Sequence, residues 1–338
     1  MHGGIFSNLE FVTLFFLLCQ SRIVSSLEWV TPKFVAIPLL LQPFFSACIA
    51  IIRRWVQPEP LRKCAVFLVI LWTAYLIVHF RNETTAGLTA DHTTPFGDDS
   101  INFWSGARLA LLGRIGDIYD LAKFHDFQIS VMHSPFWFRH YGYPPVMIFL
   151  ALPLALFPYM VAVWIWILGG CAAYAAVVCK VWPGRRGSRW DAVLYALVVP
   201  AVFVNSACGQ TGTWMAAILG GGLMMLETRP ALGGMILGLL IAKPQMALLV
   251  PIALLAGRQW KALAAFLAMC IGLIGITILS FGVDPWIGFV QRTAWAREQI
   301  LENGANWREY FISVFSMMRY VSPSLSLAYG IQGLSALT

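Results

Sequence analysis

Asp98 and Asp99 stand side by side in Gly97-Asp98-Asp99-Ser100-Ile101-Asn102-Phe103-Trp104, on the only long polar loop near the start of an otherwise apolar chain. A carboxylate beside a bilayer, partly desolvated, suits a general base that takes a proton from a hydroxyl nucleophile. Two adjacent acids also have other readings. One can be the N-cap of the helical pattern that starts here, its carboxylate accepting from first-turn N–H groups. Together they could hold a divalent cation, but the sequence offers no third oxygen-rich cluster, so a site without metal is the expectation.

Lys243, in Ala242-Lys243-Pro244-Gln245 inside an apolar run, is the second candidate, because an ionisable side chain there is expensive and functional by default. It could bind a lipid phosphate, assisted by Arg139 and His140, or snorkel to the interface. Gln210, following Asn205-Ser206-Ala207-Cys208-Gly209, offers an amide to substrate hydroxyls or to exposed backbone groups. Trp104, Phe136, Trp137, Phe138, Tyr141 and Tyr143 crowd the same loop as Asp99. Such rings anchor proteins at the headgroup boundary, and they also suit stacking on a sugar face.

A membrane scaffold must position these groups. Of 338 residues 59% are hydrophobic and 12% charged, about half the usual charged share of roughly 25%. Mean hydropathy is +0.72. Apolar runs recur at Phe34–Ile52, Cys64–Phe80, Met160–Cys179, Ala192–Ala207, Thr213–Leu226 and Ala262–Phe281, with another from Phe311 toward the C-terminus. A helix of ~20 such residues crosses ~30 Å of hydrocarbon. The fold expected is all-α, a polytopic helical membrane protein. The net charge of +7 fits basic loops facing anionic headgroups and not a nucleic-acid surface. Seven scattered cysteines form no Cys-x-x-Cys pair, which argues against a metal cage or redox motif. Phe11–Cys19 is apolar but lacks a basic leader and a cleavage site, and reads as an interfacial helix or an extension.

Basic residues mark the cytoplasmic side. Arg53, Arg54, Arg62 and Lys63 lie inside on this rule, as do Lys180, Arg185, Arg186, Arg189, Arg229, Arg258 and Lys261. A large outer loop then spans residues 81–143, after an N-terminal hydrophobic region at 1–62. The turn Asn205–Gln210, the Lys243-Pro244 break and the loop Gly282–Tyr310 join it on the outer side. Pro145–Phe157, bounded and broken by Pro144, Pro145, Pro153 and Pro158, reads as a short interfacial or re-entrant helix. Phe103, Ala107, Ala110 and Leu111 share one face of the helix that Asp98 and Asp99 open. Gly113 looks like its stop, and Asp117-Ile118-Tyr119-Asp120 like a turn.

The string Asp99-x-x-x-Phe103-Trp104-x-x-x-Arg108-Leu109-Ala110-Leu111-Leu112-Gly113, followed by Tyr119-Asp120, resembles the first outer loop of glycosyltransferase family 87. Tyr143-Pro144-Pro145, Gly209-Gln210, Gly234-x-x-x-Gly238 with Ala242-Lys243-Pro244-Gln245, and Arg258-x-Trp260 are similar to its later landmarks, in order. The resemblance runs from about Gly97 to Trp260, and the tail to Thr338 is less specific. It implies a GT-C-like bundle over residues 63–338 in a bacterial inner membrane, its outer loop carrying juxtamembrane helices and its active site on the periplasmic side. The reaction implied moves a hexose, mannose by preference, from a polyprenyl phosphate to a glycolipid or glycan hydroxyl by inverting single displacement, with no cofactor. Asp99 matches the catalytic acid, with Asp98 as the neighbouring candidate. Lys243 would hold the leaving phosphate with Arg139 and His140, and Gln210, Trp104 and Tyr143 would touch substrate. Members of the family typically run further at the C-terminus, and spans missing there would carry part of the acceptor or lipid groove. A transporter or lipid flippase is the competing reading, with the Lys-Pro and Gly-Gln helix breaks as its substrate site.

Overall fold

The computed structural model describes residues 58–81, 95–133, 135–136, 138–182, 189–304 and 313–337. Phe11–Cys19, Phe34–Ile52, Arg53, Arg54, Trp137, Arg185 and Arg186 lie outside the described residues. All regular elements among the described residues are helices.

Helix α1, Pro58–Arg81, begins six residues ahead of the apolar run Cys64–Phe80, so Arg62 and Lys63 sit in its opening turns. After it come α2 (Ser100–Leu111), α3 (Leu121–Met132), α4 (Pro145–Ala151, continued as a 3₁₀ turn to Leu156) and the long α5 (Tyr159–Val181). The middle of the chain gives α6 (Arg189–Val198), α7 (Pro200–Ala207), α8 (Gly212–Met225), α9 (Pro230–Gly238, continued to Ala242), α10 (Pro244–Ala247) and α11 (Val250–Ala256). The long α12 (Trp260–Phe281), then α13 (Asp284–Ala296), α14 (Val314–Val321) and α15 (Leu325–Leu337) complete the described chain.

Among the described residues, α5 and α12 are the two single helices long and apolar enough to cross a membrane. Leu168 on α5 is 60% exposed and Leu279 on α12 is 88% exposed. Surfaces this apolar belong against lipid, so this is a membrane protein. Helices α8 and α9 fill the space between the two, with α5 on α8, α8 on α9, and α9 along α12. The last contact is unusually close. A Cβ at Gly234 would come within 2.1 Å of the Ala262 carbonyl oxygen, and one at Gly238 within 2.6 Å of Met269 Cβ. Small residues four apart let two helices touch backbone to backbone, which in lipid replaces a hydrophobic driving force.

Proline chemistry breaks the remaining runs. Ala192–Ala207 is not one straight span: α6 and α7 meet at a 60° bend, where Pro200 removes a backbone donor. The run from Phe311 likewise divides into α14 and α15 around Pro323. Pro145–Leu156 is a short apolar helix, as the four prolines lead one to expect. Its carbonyls are satisfied from α2: Trp104 Nε1 donates to Phe157 O at 2.9 Å and Arg108 Nη1 to Ala155 O at 3.2 Å. One core, containing Ile101, Phe103, Trp104, Ala107, Val146, Met147 and Val163, forms there between α2, α4 and α5.

The α2 face differs from its periodicity. Phe103 and Ala107 are buried, but Leu111 is 47% exposed, because the partners α4 and α5 cover only the first three turns. Asp120 is no mere turn residue. It N-caps α3, its Oδ1 accepting from Ala122 N and Lys123 N, both at 3.1 Å, and buried Gln128 of α3 then donates to Asn102 of α2 at 3.0 Å.

Candidate active site

Three helix breaks converge beside the N-terminus of α2. The chain enters through Gly97 (φ +72°) and Asp98 (φ +36°), both left-handed. Asp tolerates that region better than most residues. This turn is fastened to the α7–α8 junction by its backbone: Asp99 N donates to Cys208 O at 3.1 Å, and Ser100 Oγ to Gly209 O at 3.2 Å. Trp166 Nε1 of α5 donates to the same Gly209 oxygen at 3.0 Å. The junction is tight because Gly209 is itself left-handed, at φ +57°. Asn205 braces it, accepting from Gly212 N at 2.6 Å and donating to Thr213 Oγ1 at 3.3 Å.

The two carboxylates take separate partners. Asp98 Oδ1 accepts from Arg139 Nη2, and Asp99 Oδ2 accepts from Gln210 Nε2. Asp99 occupies the N-cap position of α2, yet its side chain makes no capping bond. The backbone explains this: φ −71° and ψ −12° are helical, whereas a capping side chain needs an extended residue to reach the first-turn N–H groups. Its carboxylate is therefore left for Gln210. Helix capping does not account for it.

Lys243 arrives from the α9–α10 break, its Nζ donating to Thr211 Oγ1 at 3.3 Å. The charge environment of Asp99 records the convergence. Burial pushes its carboxyl up from 3.8 to about 6, and the adjacent Asp98 charge adds to the rise. Arg139, Lys243 and the Gln210 hydrogen bond pull the other way. A carboxylate of this kind is half proton-bearing at mildly acid pH and a competent base at neutral pH. Tyr143 packs edge-on to Phe103 at 4.9 Å. Burial, and then the charge of Asp99, hold its phenol protonated.

The other sequence candidates have different surroundings. Trp104 is 8% exposed, its indole N–H given to Phe157 and its ring set against Tyr159 at 5.8 Å. Arg139 is taken up by Asp98. His140 lies edge-on to Trp295 of α13 at 5.5 Å. Burial, then Arg292 and Arg139, press its pKa below the ordinary histidine value, so it is an uncharged neighbour at neutral pH. Sequence reasoning missed Thr211, Asn205, Trp166 and Arg292. The first two were legible as polar residues at a junction between apolar runs, while Trp166 and Arg292 carry no such signal.

The segments expected on one side of the membrane do gather at one end of the bundle. Gly288 of α13 fits against Tyr119, where a Cβ would come within 2.8 Å of the tyrosine Cβ, and Tyr119 Oη donates to Tyr143 O at 2.8 Å. One end of the bundle thus collects a base, an amide, a lysine and a tyrosine. That set can deprotonate a hydroxyl beside a cation able to receive an anionic leaving group. The family model for glycosyltransferase family 87 matches residues 141–338. The match takes in Tyr143, Gln210 and Lys243 and the whole C-terminal tail, and it begins after Asp98 and Asp99. No curated protein and no solved structure matches the chain.

Proposed function

The chain belongs to glycosyltransferase family 87, and from that premise we propose that it transfers a hexose, mannose by preference, from a polyprenyl phosphate to a hydroxyl of a glycolipid or glycan. The active site of this GT-C-like bundle faces the periplasm across a bacterial inner membrane, and residues 81–143 form its first outer loop. Asp99 accepts the proton of the acceptor hydroxyl. The freed oxygen attacks the anomeric carbon as the bond from that carbon to the phosphate oxygen breaks. Attack from the side opposite the leaving group inverts the anomeric centre, and the polyprenyl phosphate leaves with both electrons of the broken bond. Lys243, oriented by Thr211, receives the phosphate charge. Gln210 fixes the angle of Asp99, and Tyr143 donates its proton to a sugar oxygen.

The observation that carries this reading is the Asp99 carboxylate, turned away from its own helix, raised to about 6 and within the field of Lys243. Asp98 is the less available carboxylate because it is paired with Arg139, and the same pairing leaves Arg139 a supporting role toward the phosphate. The reading is tested with detergent-purified protein, a radiolabelled polyprenyl-phosphate mannose and a pool of bacterial glycolipids. Transfer that persists in EDTA and disappears in Asp99→Asn is the expected result. Loss in Asp98→Asn alone moves the base by one residue, and no transfer by folded protein with any acceptor removes this donor.

Two further outcomes follow from the same geometry. Lys243→Met is expected to raise the donor KM by roughly 10–100-fold, the usual loss for a hydrogen bond to a charged group. Steady-state kinetics in donor concentration measures it. The pH profile of kcat/KM is expected to rise to about 6 and then level, since the base acts only when deprotonated. In Gln210→Leu that acid limb moves to higher pH, because the amide that favours the charged form is gone.

A further inference from the structure

A cavity lies on the same end of the molecule, apart from Asp99. It encloses about 570 Å³ between the segment Gly116–Ala122 and helix α13, within the ~300–1,000 Å³ typical of small-ligand sites. Its walls mix chemistries. Asp120 and Asp284 bring carboxylates, Gln291 a carboxamide, Arg292 a guanidinium, and Ile287 an apolar patch. Asp120 is occupied in capping α3, but Asp284 forms no ion pair among the described residues. Arg292 is the anomaly. Its Nε and Nη1 are buried and make no hydrogen bond, although the guanidinium sits over the Trp295 ring at 5.4 Å. Arg292 therefore brings its positive charge and side-chain stem to the groove wall, and not those two covered donors.

Flanking carboxylates repel a phosphate, and the charged groups set among the apolar ones disfavour an acyl chain. Carboxylate, carboxamide and guanidinium groups around an apolar patch suit vicinal hydroxyls and the C–H face of a sugar ring. The position agrees. Tyr119 is shared by this cavity and the reaction site, lining the groove and giving its hydroxyl hydrogen to Tyr143. We infer that the Gly116–Arg292 groove is a carbohydrate subsite, holding sugars of the acceptor glycan remote from the hydroxyl that reacts at Asp99. This deepens the transferase reading above and rests on it: the acceptor is an oligosaccharide.

Gly116 supplies the decisive variant. A Cβ there meets nothing within 4 Å, so a side chain at Gly116, which lines the groove, starts into open space, and Gly116→Leu is the blocking variant. Saturation-transfer NMR of the detergent-purified full chain, with mannotriose, maltotriose and cellotriose as probes and inorganic phosphate as competitor, reads occupancy directly. At least one trisaccharide is expected to bind. Gly116→Leu and Gln291→Leu, melting with the unmodified chain, are expected to weaken it roughly tenfold, and Asp99→Asn to leave it unchanged. Absence of binding, equal binding in Gly116→Leu, or displacement by equimolar phosphate overturns the assignment, the last in favour of an anion site. Donor turnover on the same preparation separates the two readings. Turnover without saccharide binding removes the groove alone, and saccharide binding without turnover removes the acceptor role together with the reaction.

Discussion

Asp99→Asn is expected to lower kcat by about 10²–10⁴-fold, the range a positioned general base contributes, while the protein remains folded and melts no lower than the unmodified chain. The stability half of this result follows from linkage. The carboxyl titrates near 6 in the folded protein against 3.8 for the free side chain, so the native state binds this proton more tightly than the unfolded one. The folded protein therefore loses stability as pH rises between those two values, and carries the full penalty above about 6. An asparagine has no proton to lose. Above pH 6 the variant gains in melting temperature, and below the unfolded pKa the difference vanishes. Activity lost and stability gained at one position is the mark of a group kept for chemistry. If Asp99→Asn melts well below the unmodified chain at neutral pH, the residue is structural and the base must be sought elsewhere.

Gly209→Ala is expected to have the largest structural effect. A Cβ at this position would lie 1.9 Å from Ser100 Oγ and 2.1 Å from Gly97 O, and one of those two atoms is backbone. The φ of +57° adds the left-handed penalty of roughly 1–2 kcal/mol. With overpacking of about 1–3 kcal/mol, a loss of ~2–5 kcal/mol follows, read as a lowered melting temperature in detergent. Function falls too. The clash separates the Gly97–Ser100 turn from the α7–α8 junction, and Gln210 moves away from Asp99. Gly221→Ala is the control: it is a glycine further along α8, where the nearest atom to a Cβ is Val177 Cγ2 at 3.7 Å, and it is expected to be near neutral.

Much of this arrangement is legible in the sequence, for physical reasons that differ from residue to residue. Long charge-poor runs report α5 and α12 directly, since hydrocarbon forces the backbone to satisfy itself within a helix. The pattern of basic residues puts Asp99, Gln210 and Lys243 on one side, and hydrogen bonds bring their segments together. Prolines were harder to weigh. Pro153 and Pro158 bound a short run and read as breaks, whereas Pro200 and Pro323 lie inside runs that hydropathy alone makes continuous. The partition of the two aspartates was not legible. Which of them faces Arg139 depends on a left-handed backbone at Asp98, and that conformation is imposed by a turn docking against residues more than a hundred positions later. Arg292 was invisible for a similar reason. Its place in the groove wall is set by how α13 docks against the Gly116–Ala122 segment, and spacing along a helix carries no record of that.

The bond from Ser100 to Gly209 spans 109 residues, and this interval sets an order of events during synthesis. At about 5–20 residues per second, the aspartate turn leaves the ribosome several seconds before the junction that will hold it exists. Through that time the nascent chain carries a carboxylate pair with no Gln210 and no Lys243 beside it. Catalytic competence therefore arrives late and in one step, when α8 and α9 come to rest against their neighbours. A ribosome stalled before Asn205 would leave the aspartate turn without the junction that fastens it.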